Sequence, residues 1–67
     1  MSTGEPEPRF LLYCNEGGKF VLRLQGEEAV REFDTFSEAV AHARNLRPKT
    51  ALTVYDALGQ VVLSAVV

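Results

Sequence analysis

Cysteine, histidine and surplus positive charge are what this chain has least of. Cys14 is the only cysteine, so no internal disulfide can form. With His42 as the only histidine, the two supply too few ligands for a structural metal site, and no metal or cofactor is expected. A single thiol suits a reducing compartment. Seven basic residues stand against nine acidic ones, a net charge of −2. A protein that grips a phosphate backbone is usually basic, so this balance argues against nucleic acid, although charge can cluster locally. No apolar run approaches the ~20 residues of a membrane span, so no membrane contact is expected. The stretch Met1-Ser-Thr-Gly-Glu-Pro-Glu-Pro8 is polar, rich in proline and free of an apolar core, unlike a signal peptide. The expectation is a disordered tail over residues 1–8, a single domain over 9–67 and a soluble, cytoplasmic protein. A chain of 67 residues buries only ~60% of the surface it exposes when unfolded, so it is marginal without a partner or a staple.

What the chain does have is one clear helix between strand-forming segments. Thr35-Phe36-Ser37-Glu38 reads as a capping box, in which the Thr35 hydroxyl accepts from the Glu38 N–H and the Glu38 carboxylate reaches back. Phe36, Ala39, Val40, Ala43 and Leu46 then recur at helical spacing, with Glu38, His42, Arg44 and Asn45 off that face. The helix should end near Asn45, because Pro48 forbids its continuation. Ahead of it, Phe10–Cys14 and Lys19–Leu24 read as strands around the turn Asn15-Glu16-Gly17-Gly18, where Gly17 or Gly18 takes a positive φ. Ala29–Phe33 is a shorter, more polar strand, expected at a sheet edge. A turn at Gly26-Glu27 sets Phe20 opposite Phe33 and Leu24 opposite Ala29, and brings Arg23 near Glu32. After the helix, Ala51–Asp56 and Val61–Val67 flank Asp56-Ala57-Leu58-Gly59, whose Asp and Gly suit a type I turn. That loop sets Val54 opposite Leu63 and Leu52 opposite Ala65. No internal repeat is evident.

These elements predict an α+β fold: a mainly antiparallel sheet of four to five strands with one amphipathic helix on one face, in the order β-β-β-α-β-β. The residues expected under the helix are Phe10, Leu12, Phe20, Leu22, Leu24, Phe33, Leu52, Val54, Leu63 and Ala65. The second face then carries Leu11, Tyr13, Val21, Arg23, Thr53, Tyr55, Val62 and Val66, half of it apolar, with nothing in the chain to cover it.

Several stretches carry a resemblance. Gly17-Gly18-Lys19-Phe20-Val21, Phe33-Asp34-Thr35, Ser37-Glu38-Ala39-Val40-Ala41-His42-Ala43-Arg44, then Leu52-Thr53-Val54-Tyr55-Asp56 and Gly59 together look like a family of small uncharacterised bacterial proteins. That family is described only as a domain of unknown function, with a β-β-α-β core. The resemblance spans roughly Tyr13 to Val62. It departs at Phe20, often Trp in the family, and in the apolar segment Val61–Val67, often charged there. It implies the fold and no activity.

Catalysis has little to stand on. A nucleophile–base pair would need Cys14, at a strand end, and His42, on the presumed outer side of the helix. Asp34 and Glu38 suit the positive end of the helix dipole and Asp56 suits its turn, so capping explains these acids without acid–base work. Arg44, Arg47 and Lys49 suit the helix C-terminus in the same way. No catalytic residue is assigned, and no small-molecule ligand. The reading is a non-enzymatic interaction module that self-associates, as a homodimer, through an open sheet face or an edge strand. Its candidate face is Leu11, Tyr13, Val21, Arg23, Tyr55, Val62 and Val66. The alternative is a sheet-face binder of single-stranded nucleic acid, with Tyr13 and Tyr55 as stacking platforms.

Overall fold

One strand–helix–strand connection decides the topology. The computed structural model describes residues 8–67. It consists of β1 (Phe10–Cys14), β2 (Phe20–Leu24), β3 (Val30–Phe33), α1 (Phe36–Leu46), β4 (Ala51–Tyr55) and β5 (Val61–Val66). The element order and the α+β class are those expected. The tail expectation lies outside the described residues except at Pro8, which is half-buried.

The sheet order is β3-β2-β1-β4-β5. Three neighbouring pairs are antiparallel hairpins, but β1 and β4 pair in parallel at the centre. The sheet is therefore mixed: the mainly antiparallel expectation holds for three of its four pairs and fails at β1–β4. The reason lies in α1. A helix that runs back along a sheet returns the chain to the end where the previous strand began, so the next strand runs parallel to it. β3 and β4 are thus parallel to each other and to β1. The chain sets β4 against β1 on the far side of the first hairpin, and α1, which makes the crossover from β3, packs on β2 and β3.

Local chemistry sets each piece. The Thr35 Oγ1 accepts from the Glu38 N–H at 3.2 Å, as the box predicts, while the reciprocal Glu38 carboxylate bond is not formed. The helix runs one residue further than expected, to Leu46, and the Arg47 N–H closes it on the Ala43 carbonyl at 2.9 Å. Thr35→Ala should cost ~1 kcal/mol, read as a lower urea midpoint at unchanged slope.

The two hairpins that meet at β1–β4 close on the same turn. Asn15 Oδ1 accepts from the N–H of Gly17 (2.9 Å) and Lys19 (3.0 Å). Asp56 Oδ1 accepts from the N–H of Leu58 and Gln60, both at 2.9 Å. Each turn has its positive φ at the fourth residue, Gly18 (81°) and Gly59 (82°), where a side chain would strain the backbone. The turn is thus repeated although the sequence around it is not evidently so. The register follows the turns: Phe20 faces Phe33, Val54 faces Leu63 and Leu52 faces Ala65, as predicted. A bulge at Val61–Val62 opposite Tyr55 interrupts the last hairpin.

The core is narrower than the face that supplies it. Phe10, Leu12, Leu22, Leu52 and Val54 are buried from the sheet, and Ala39 and Ala43 from the helix. Phe20, Leu24, Phe33, Val40 and Val67 pack around them, half-buried. Leu63 and Ala65, expected in the core, are exposed. The cause is size. Five strands at ~4.8 Å spacing make a sheet ~19 Å across, whereas a helix with its side chains spans ~10 Å. α1 packs over β2 and β3 and leaves β5 uncovered. Phe36 and Leu46, the ends of the apolar stripe, lie at its exposed margins, with Phe36 set edge-on to Phe20 at 6.1 Å between ring centres. His42, expected on the outer side, is half-buried against the Phe33 ring, 5.3 Å between centres.

Candidate functional site

The face opposite the helix is built from alternate residues of every strand. Cross-strand partners share a face, so Leu11 sits between Arg23 and Thr53, and Tyr13 between Val21 and Tyr55. This brings Leu11, Tyr13, Val21, Arg23 and Tyr55 together at the centre, as the sequence implies. They do not form an open apolar patch. Val21 is only 4% exposed and Thr53 3%, although no helix lies over them. The Arg9 guanidinium donates to Thr53 Oγ1 at 3.1 Å, which satisfies the buried hydroxyl. Arg23 Nε donates to the Glu27 carbonyl at 2.9 Å, and Glu32 accepts from Asn15 Nδ2 at 3.1 Å. Arg23 and Glu32, diagonal neighbours in the β2–β3 register, thus have separate hydrogen-bond partners. Among the described residues no buried side-chain polar atom lacks a partner.

The exposed apolar surface lies one strand further out. All six residues of β5 are exposed, and five of them are apolar. Val62 and Val66, two of the expected interaction residues, are 59% and 70% exposed. Leu63, on the helix side of the same strand, is 46% exposed. β5 thus shows apolar side chains on both faces, and among the described residues its outer edge pairs with nothing. The opposite edge is treated differently. β3 carries Arg31 and Glu32 in mid-strand, charges of the kind that discourage edge pairing, while β5 carries none. Val61 and Leu63 are surface residues that alternation did not single out, Leu63 being expected under the helix. Their signal is the absence of any charge in Val61–Val67.

The other candidates stay apart. The Cys14 thiol, half-buried at the end of β1, faces the Asn15 carbonyl at 3.7 Å, and the His42 imidazole faces Phe33 two strands away. His42 also lines a small cleft of about 110 Å³ with Phe10, Leu24, Glu27, Arg31 and Leu46. A shallow, open depression lies at the mouth of the helix, lined by Lys19, Glu32, Phe33, Asp34 and Glu38. Lys19 is ion-paired to Asp34 there, and that bond holds its ammonium protonated above the usual lysine range. Among the described residues no group of histidine, cysteine and acidic side chains is placed to hold a metal ion, and no helix is long and apolar enough to cross a membrane.

No family model matches the chain, and no curated protein or solved structure matches it.

Proposed function

We propose that this protein is a non-enzymatic interaction module that self-associates through the open edge of β5. One observation carries the reading: a six-residue, charge-free strand at the sheet edge with every residue exposed. A strand of this composition, left open, is a template for another strand. Pairing it stabilises a chain that buries little surface alone, because a partner that binds only the folded state shifts the folding equilibrium. A two-fold homodimer is the simplest closed form of such pairing. Sedimentation equilibrium from micromolar to millimolar concentration tests this. The expected result is a monomer–dimer equilibrium. Val66→Lys should weaken it at least tenfold and leave the melting temperature of the dilute monomer nearly unchanged, because Val66 is exposed there. A wild-type protein that stays monomeric near millimolar concentration overturns the reading.

The second reading, single-stranded nucleic acid on the opposite sheet face, is favoured by one feature. Tyr13 and Tyr55 are adjacent in the β1–β4 register, with Arg9 and Arg23 on the same face. Salt-dependent binding of a labelled oligonucleotide, lost in Tyr13→Ala, would support it.

A further inference from the structure

The backbone of β5 fixes how a second copy would pair with it. The Val67 N–H donates to the Thr50 carbonyl at 3.0 Å, and the Val67 carbonyl accepts from the Lys49 N–H at 2.6 Å. Both backbone groups of Val67 therefore point inward, towards β4. In an antiparallel ladder, successive residues turn both groups alternately towards one neighbour and away from it. Ala65 and Leu63 then also point inward, and the N–H and carbonyl groups of Ser64 and Val66 point outward from the sheet. A new antiparallel strand must bond to those outward groups.

The fold itself supplies an example of what fits there. The β1–β2 and β4–β5 hairpins share one turn and meet through β1 and β4. The outer edge of β2 is covered by the antiparallel strand β3. β5 holds the corresponding place in the second hairpin, and among the described residues its outer edge is open.

We propose that β5 pairs with β5 of a second copy, antiparallel, about a two-fold axis at Ser64. This rests on the self-association proposed above and specifies its geometry. An axis at Ser64 pairs outward-facing Ser64 with its own copy. It sets Val62 opposite Val66 and Leu63 opposite Ala65, and uses the whole of Val61–Val67 on both chains. Centring the pair on Ala65 would overlap fewer residues. Charge favours the second copy over other segments of this chain. A strand with no charged residue meets its own copy without like-charge repulsion, whereas β3 would set Arg31 and Glu32 against it. The Glu5-Pro6-Glu7-Pro8 segment would bring two carboxylates and two residues with no N–H to donate. The axis stands perpendicular to the sheet, so both helices lie on one face of a continuous ten-stranded sheet. Leu63 and Ala65 of the two copies then lie side by side on the helix-bearing face.

Single cysteines placed in a Cys14→Ser background test the register. Directly opposed residues of a bonded antiparallel pair have Cα atoms ~5.5 Å apart, within the ~4.4–6.8 Å that a disulfide spans. Ser64→Cys should form a disulfide-linked dimer under mild oxidation. Val62→Cys and Val66→Cys should each fail to link to themselves, and an equimolar mixture should give the crossed dimer. Sedimentation of the reduced proteins runs alongside. A reduced protein that dimerises while Ser64→Cys does not link, or while Val62→Cys links to itself, overturns this register and leaves self-association standing. A reduced protein that is monomeric throughout overturns both.

Discussion

Ala39→Asp should leave the domain unfolded at neutral pH. Ala39 is fully buried, in the first turns of α1, where small side chains let the helix settle onto Phe10, Leu12 and Leu22. No cation or free donor is described in that layer, so an aspartate there would be an unpartnered buried charge. Its cost, several kcal/mol, rivals the whole stability of a domain this size, ~3–10 kcal/mol at 0.05–0.15 kcal/mol per residue. Burial favours the protonated acid, so the folded-state pKa of the new side chain would lie above its unfolded value. The fold is therefore penalised above that folded-state pKa, and the penalty shrinks as pH falls through it. Circular dichroism and proton NMR should show a disordered chain at pH 7 that regains structure on acidification. Val40→Asp, one residue on, should be much milder, because Val40 is only half-buried and a carboxylate there can reach water. The opposite ranking would mean that α1 is rotated by about one residue, ~100°.

The local pieces of this fold are legible in the sequence because each is written in neighbouring residues. Thr35 and Glu38 mark the helix start. Asn15 with Gly18, and Asp56 with Gly59, mark the two turns, and the turns then dictate that Phe20 faces Phe33 and Val54 faces Leu63. What is not legible is non-local. Nothing in β1 or β4 states that they are parallel neighbours; that follows from the crossover of α1, and no turn residue encodes where a crossover lands. The alternation in β5 shows that Leu63 shares a face with the core, but not that the helix is too narrow to reach it. The same limit hid the state of the opposite face. Val21 and Thr53 look like open-surface positions by alternation, yet both are buried, Thr53 with its hydroxyl accepting from Arg9, an arrangement that no periodicity records. The exposure of the open face was therefore read in part. Val62 and Val66 were expected in it and are exposed, while Val21 was expected in it and is buried.

Leu12→Ala should be the most costly of the conservative truncations. Leu12 is fully buried at the middle of the central strand, with Leu22 opposite it on β2 and Val54 opposite it on β4. Removing three carbons there leaves a cavity walled by strands on both sides and by the helix above, which cannot collapse without breaking the ladders. Such sites give the upper part of the usual range, ~3–4 kcal/mol of the 2–5 found for buried leucines. At ~4–8 °C per kcal/mol for a domain of this size, the melting temperature should fall by roughly 12–30 °C. Leu63→Ala is the matched control: it removes the same atoms from the same face, two strands away. Because Leu63 is about half exposed in the monomer, the loss under dilute conditions should be well under ~1 kcal/mol. At concentrations where copies associate through β5, Leu63→Ala should cost more, since the leucine then packs beside Ala65 of the second chain. Urea denaturation of both variants at low and high protein concentration measures each effect. Equal losses for Leu12 and Leu63 in the dilute monomer would show that the helix covers β5 after all, and would remove the exposed edge on which the proposed association depends.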